Sequence, residues 1–383
     1  MKISSLRSRP TCPHRPPCPG CPRFGERGLD AAAHAALNAL ASAHGLPPVD
    51  VVSGSTRGFR LRARLAIRGR QSAPKLGLFE ADSHRVVTIP NCSVQHPLIN
   101  HISAVVRRAL VDAAVPPYSE AAHQGFARYL QVVVERKSQT AQVVIVANCA
   151  TPDPLARSLD LIRDRLGETL HSLWFNVNCG RGNAILGSEF RLWSGQETVV
   201  ERFGGAAVHY PPGAFGQSNL EISTRIIEHV REQIPDGSHV VEFYAGVGAI
   251  GLSVLARTST LVLNEVSEAS LQGLQRGLAD LDMAERSRVK VVPGPAGQAY
   301  GIAEGADVVI VDPPRKGLER ALRDALRDCP PERLLYVSCL HESLQQDLAA
   351  LTSANSLRLT GLTAFNMIPF TTHVETVAQL ERT

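Results

Sequence analysis

The sequence predicts an α/β protein in two parts: an α+β central domain over residues 1–200 and a doubly wound, mostly parallel sheet over 201–383. Three observations carry this expectation. Beyond residue 200, apolar strand-like runs alternate with helical stretches, the rhythm of a parallel sheet. The first of those strands runs into a glycine turn, Gly246-Val247-Gly248-Ala249-Ile250-Gly251, at the mouth of a helix. Before residue 200, period-two segments follow one another with few helices between them, which suits an antiparallel layer.

Residues 1–25 are rich in Pro, Cys and Arg, and prolines recur too often for a regular element, so the segment reads as a loop that something else must hold. Residues 29–44 are Ala/Leu-rich and read as a helix, stopped by Gly45 and the Pro47-Pro48 pair. Residues 59–67 alternate strictly, which puts Arg60, Arg62 and Arg64 on one face and Phe59, Leu61, Leu65 and Ile67 on the other. Further strands are expected over 129–135, 141–147 and 172–178, with a helix over 154–166 between the last two. In the second half, strands are expected over 239–244, 260–265, 288–292, 307–311 and 334–339, with helices such as 269–281 and 319–327 between them.

The 383 residues are 44% hydrophobic and 20% charged, the composition of a globular chain. No run approaches the roughly 20 apolar residues of a membrane span, and the N-terminus lacks the apolar core of a secretory signal. A cytoplasmic monomer with no membrane partner is therefore expected. The net charge of +4 hides an asymmetry: residues 1–75 hold thirteen Lys/Arg against Glu26, Asp30 and Asp50, a balance of +10, so the remainder sums to −6. A basic half joined to a mildly acidic one suits a polyanion-binding module attached to a second activity, although a solvated basic surface would give the same count. Eight cysteines in such a chain point to metal binding or catalysis before disulfides.

In the glycine turn, Gly246, Gly248 and Gly251 form G-x-G-x-x-G, which lets the backbone turn tightly and a ligand approach closely. Glu265, nineteen residues after Gly246, ends the next strand, where an acid can bind ribose hydroxyls. Alone, this pattern leaves a dinucleotide and S-adenosylmethionine both open. The strand over 307–311 then ends in Asp312-Pro313-Pro314-Arg315. The stiff Pro-Pro pair holds the Asp312 carboxylate at the carboxyl edge of the sheet, where open α/β sheets bind ligands. A D-P-P motif on the fourth strand is typical of nucleic-acid methyltransferases and is not expected in dehydrogenases. The next strand ends in Cys339, which would face the same crevice, and Thr372-His373-Val374-Glu375 precedes the last apolar strand pattern.

Together these segments resemble the RNA (uracil-5-)methyltransferase family. The matching pieces are Phe215-Gly216-Gln217-Ser218-Asn219, Glu242 to Gly248, Asn264-Glu265-Val266, Asp312 to Gly317, Tyr336-Val337-Ser338-Cys339 and His373-Val374-Glu375-Thr376-Val377. The resemblance implies a C-terminal Rossmann-like S-adenosylmethionine methyltransferase domain. It implies that Gln217, Tyr244, Glu265 and Asp312 contact S-adenosyl-L-methionine beside Gly246 and Gly248, that Cys339 is the nucleophile and that Glu375 is the base. Two positions depart from the family pattern: Glu242 replaces the usual Asp, and Leu340-His341 replaces the usual Asn-Pro after the cysteine. The chemistry needs these groups because uracil C5 is too weak a nucleophile to take a methyl group until a thiolate has added at C6. Cytosine-C5 methylation is the closest chemical competitor, since attack at C6 serves both bases. A metal-cluster RNA-binding protein without catalysis would have no use for Cys339 and Glu375.

Cys12, Cys18 and Cys21 form C-x5-C-x2-C within the N-terminal loop, and three thiolates need a fourth ligand. Spacing alone leaves zinc and a [4Fe–4S] cluster open. The resemblance implies Cys92 as the fourth ligand, the iron–sulfur cluster as the group, and 23S rRNA ahead of tRNA as the substrate. Because the chain begins at this loop, without the oligonucleotide-binding barrel that many relatives place before it, RNA contact is expected on the central domain, at Arg60, Arg62 and Arg64.

Overall fold

In the computed structural model the described residues are 11–383, and the first ten residues of the expected N-terminal loop lie outside them. Two sheets organise the chain. In the C-terminal one, eight strands lie in the order Asp50–Val52, Leu357–Phe365, Glu375–Arg382, Arg333–Ser338, Val308–Val311, Ser238–Phe243, Thr258–Glu265 and Val289–Pro293. The last five are mutually parallel. Val308–Val311 is buried throughout and Leu334–Val337 likewise, as strands covered on both faces must be. The covering helices include Glu268–Ala279, Arg320–Asp328 and His341–Leu351, the last two burying Leu322, Leu326, Leu344, Leu348 and Leu351.

The final strand breaks the parallel pattern. Glu375–Arg382 runs antiparallel between Leu357–Phe365 and Arg333–Ser338. Its first residue therefore lies at the edge where the parallel strands end.

The central sheet has seven strands, in the order Val86–Thr88, Ala73–Phe79, Arg62–Arg70, Ala127–Val134, Ala141–Ala147, Leu170–Val177 and Glu189–Gly195. All its pairs are antiparallel except Ala141–Ala147 with Leu170–Val177, which are joined by the crossover helix Ala156–Leu166. Helix Pro97–Asp112 packs on this sheet and buries Ile99, Ile102, Val106 and Leu110, each contributing roughly 1.5–3 kcal/mol by leaving water. Sequence alternation had not marked that helix.

Part of the segment before residue 200 packs outside the central sheet. Helix Ala31–Ala43 and strand Asp50–Val52 pack with the C-terminal sheet, where Leu37, Leu40, Ala41 and Val49 share a core with Leu348 and Leu357. Their apolar face is completed by helix His341–Leu351, a contact that periodicity within 29–52 cannot announce. No helix among the described residues is long and apolar enough to cross a membrane.

Candidate active site

The register of the parallel strands brings their ends to one edge. Phe243 pairs with both Val311 and Asn264, so Tyr244, Glu265 and Asp312 emerge side by side. The glycine turn then uses three positive φ angles, at Tyr244 (60°), Gly246 (58°) and Gly248 (82°). A side chain at Gly248 would put its Cβ 2.6 Å from Leu274, and one at Gly251 would come 2.3 Å from the Glu242 carboxyl. Positive φ is unusual for a bulky residue such as Tyr244; its hydroxyl accepts the Glu319 backbone N–H at 3.2 Å.

Glu265 closes the turn. Its carboxylate accepts N–H bonds from Gly246 (2.7 Å), Val266 (2.9 Å) and Ser267 (2.6 Å). Three of about four lone-pair sites are thus taken, leaving room for one further donor. Val266, beside it, is 63% exposed, an apolar surface at the rim of the crevice. Gln217 is half-buried in the segment that precedes the Asn219-capped helix Leu220–Glu232.

Three acids crowd the edge. Glu242 is buried, one of its carboxyl oxygens has no partner, and burial followed by the Asp312 charge raises it well above the usual carboxylate range. Burial pushes Asp312 up to about 7. Glu375 is pushed up to about 8, chiefly by burial and then by Asp312, with Arg315 opposing. Ser338 pairs with Thr376 across the antiparallel strands, so Cys339 and Glu375 are next in register at the same edge. The Cys339 thiol is raised by burial and by the charges of Glu375 and Asp312, while Arg315 lowers it. His373 is exposed overall, its Nδ1 lies 3.2 Å from the Arg315 guanidinium, and partial desolvation of its ring followed by the Arg315 charge lowers its pKa.

The turn presenting Cys339 is held although Leu340-His341 stands there. The Ser338 hydroxyl accepts the Leu340 N–H at 3.3 Å and donates to the Leu340 carbonyl at 3.1 Å, after which helix His341–Leu351 begins. Sequence reasoning missed Asp347 on that helix. Buried there, it accepts bonds from the Leu318 N–H (2.8 Å), the Tyr336 hydroxyl (2.7 Å) and Arg323 (3.2 Å), and so ties the Asp312–Gly317 turn to the Cys339 strand. Gly317, at φ 81°, packs against it, and a Cβ there would come 2.5 Å from the carboxylate. The available signal was an acid on the apolar stripe of Leu344, Leu348 and Leu351.

Cys12, Cys18, Cys21 and Cys92 line one cavity of about 110 Å³. Burial, then the neighbouring Cys92 and Cys18, pushes Cys21 up to about 11. Among the described residues no three His, Cys, Asp or Glu side chains are grouped so that they could hold a metal ion. Arg62 and Arg64 lie on strand Arg62–Arg70 and Arg60 two residues before it, and the three do not form an open basic strip. Arg60 lines the cysteine cavity, Arg62 is enclosed with its guanidinium 4.2 Å over the Tyr210 ring, and Arg64 is exposed with its Nε donating to Gln131 at 2.7 Å.

Comparison with known proteins bears on these features. Residues 303–383 match the tRNA (Uracil-5-)-methyltransferase family. An uncharacterized RNA methyltransferase of Protochlamydia amoebophila is 33% identical over 335 residues, covering 86% of this chain and 87% of that protein. One from Thermosynechococcus vestitus is 30% identical, over 84% of this chain and 71% of that protein. The structure of the Pyrococcus abyssi tRNA (uracil-54, C5)-methyltransferase in complex with S-adenosyl-L-homocysteine matches with a TM-score of 0.75 at 23% identity, over 91% of this chain and 83% of that one, which shows a common fold. The chain belongs to the RNA methyltransferases that carry the tRNA (uracil-5-)-methyltransferase domain.

Proposed function

We propose that the protein methylates carbon 5 of a uridine in 23S rRNA, using S-adenosyl-L-methionine as methyl donor and a transient bond between the Cys339 sulfur and C6. The observation that carries this reading is the antiparallel insertion of Glu375–Arg382 beside Arg333–Ser338, which brings a carboxyl with a pKa near neutrality next to a thiol. The Cys339 thiolate adds to C6 and pushes electrons towards C5, which becomes enolate-like. When bound, the donor would supply the methyl group as an electrophilic sulfonium: C5 would take the methyl, and the pair of the broken S–CH3 bond would stay on sulfur, leaving a neutral thioether. Glu375 then accepts the C5 proton; the C–H electron pair re-forms the C5–C6 double bond and expels the thiolate. Arg315 stabilises the anionic forms of both Cys339 and Glu375. The target base must leave its stack to reach such an edge.

The residues at the edge fit the donor. Gly246 and Gly248 carry no side chains, Val247 between them is turned into the core, nothing lies within 4 Å of a Cβ built on Gly246, and the Glu265 carboxylate and exposed Val266 flank the turn. Asp312, Tyr244 and Gln217 complete the candidate contacts. Four cysteine thiols lining one cavity are the donor set that a [4Fe–4S] group takes, and we assign them such a cluster, held for structure. That cysteine set is also what favours 23S rRNA over tRNA. Arg64 and its neighbours Arg60 and Arg62 are the candidate phosphate contacts, with Arg64 the most accessible.

The test is mass-spectrometric mapping of 5-methyluridine in rRNA and tRNA from a strain lacking the gene. Loss of one 23S rRNA site, restored by the wild-type gene and not by Cys339→Ala, is expected. Loss confined to tRNA would replace the substrate, and an unchanged 5-methyluridine content would overturn the activity.

A further inference from the structure

We propose that Arg23 and Phe24, at the end of the cysteine loop, are positioning residues for the catalytic base: they clamp the segment that delivers Glu375 to Cys339. The inference rests on the roles proposed for those two residues. The segment in question, 366–374, joins Leu357–Phe365 to Glu375–Arg382 and has no regular structure of its own. In its middle Phe370 holds φ at 69°, a conformation a bulky residue keeps only where its surroundings enforce it.

The enforcement comes from the cysteine loop. The Phe370 carbonyl accepts the Arg23 backbone N–H at 3.0 Å, and its ring lies 4.9 Å from the Phe24 ring within a small core that includes Phe59 and Val94. The next carbonyl, Thr371, accepts the Arg23 guanidinium at 3.2 Å. That guanidinium is itself anchored, donating to the Leu29 carbonyl at 3.0 Å and pairing with Glu26 at 3.0 Å and Asp30 at 3.4 Å. The Thr371 hydroxyl donates to Ile368 O at 2.7 Å and accepts the His373 N–H at 3.2 Å, two residues short of Glu375. On its other side the clamp meets the cysteine cavity: the Phe24 N–H donates to the Cys21 carbonyl at 3.1 Å, and Cys21 and Cys92 pack against the Phe59, Val94 and Phe370 core. A continuous run of contacts thus leads from the cysteines to the base.

This placement has a kinetic signature that general destabilisation lacks. Cys339 and the glycine turn sit on other strands, held by Ser338, Asp347 and Glu265. Loosening the clamp should leave thiol addition and methyl transfer in place and misplace only Glu375, whose work comes last. An error of about 1 Å in a reacting group costs on the order of 100-fold.

The experiment uses anaerobically purified full-length protein carrying Phe24→Ala, Arg23→Gln or the conservative Phe24→Leu, each assayed in single turnover on its RNA. Adduct formation is read as covalent protein–RNA complex on denaturing gels, and resolution as its decay to free methylated RNA. Phe24→Ala and Arg23→Gln should slow resolution roughly 10- to 100-fold while formation stays within about twofold, so that adduct accumulates, and Phe24→Leu should restore most of the rate. Arg23→Gln keeps the backbone bond to Phe370 and serves alone if Phe24→Ala does not fold. If formation and resolution fall together, or neither changes, the clamp has no positioning role. A wild-type enzyme that forms no adduct would overturn the covalent reading, and the clamp's role with it.

Discussion

Replacing Glu375 by glutamine should stabilise the protein and cripple its last chemical step, and the two effects can be separated by pH. Glu375 is 8% exposed, and its carboxyl is pushed from 4.5 up to about 8, first by burial and then by the Asp312 charge. Between those values the folded state binds a proton that the unfolded state has released. Stability therefore falls as pH rises through that window and levels off above it. At 1.36 kcal/mol per unit, the carboxyl costs about 2 kcal/mol near pH 6 and about 4 kcal/mol near pH 8. Asp312, itself pushed up to about 7, adds its charge only towards the upper end of the range, so the lower figure belongs more nearly to Glu375 alone. Glutamine keeps the shape and cannot ionise. Urea unfolding of wild type and Glu375→Gln at both pH values should show the variant gaining stability, by more at the higher pH. In single turnover the same variant should hold methylated RNA as adduct, with resolution slowed about 10²–10⁴-fold. A variant no more stable than wild type near pH 8, or a gain that does not vary with pH, would refute the buried, proton-binding carboxyl. Normal turnover by Glu375→Gln with arrest of His373→Ala would move the base to the histidine.

Cys339→Ala should abolish the denaturant-stable adduct formed on RNA containing 5-fluorouridine, whose fluorine leaves no C5 proton to remove; an adduct that survives would place the nucleophile elsewhere. Anaerobically purified protein should carry about four irons per chain with broad visible absorbance, and stoichiometric zinc in a colourless protein would replace the cluster. Arg315→Gln removes the cation that lowers Cys339 and Glu375, so adduct formation should slow near pH 7 and recover at alkaline pH. A loss independent of pH would show that Arg315 acts otherwise.

Much of the fold was legible because its elements are local. Residues 141–147 read as a strand and form one with the same limits, and the five parallel C-terminal strands fall within two residues of expectation. Helix Pro97–Asp112 escaped because it follows Pro90-Asn91-Cys92 without a strong acidic or hydroxyl cap; His96 caps it through a ring nitrogen, at 3.3 Å from the Leu98 N–H. Strand Asp50–Val52 escaped because three residues carry no period, and the strand it pairs with, Leu357–Phe365, lies some three hundred residues away. Asp347 escaped for a related reason: its partners come from the turn after Asp312, from the preceding strand and from Arg323, none of which its own helix reveals.

The proposed base shows most clearly where sequence reasoning stops. His373 and Glu375 are two apart before an apolar strand, so alternation puts both on one face and cannot choose between them. Free-side-chain pKa values favour the histidine, whose charge changes near neutrality. The fold reverses that preference through one non-local pairing. Inserting Glu375–Arg382 beside the Cys339 strand pairs Glu375 with Phe365, one residue from the Thr376–Ser338 pair, and buries it, whereas His373 stays in the irregular segment outside the sheet, exposed and next to Arg315. Burial then moves the carboxyl up to about 8 while desolvation and Arg315 move the imidazole down. The residue with the acidic reference value becomes the stronger base, and it is the one beside the thiol.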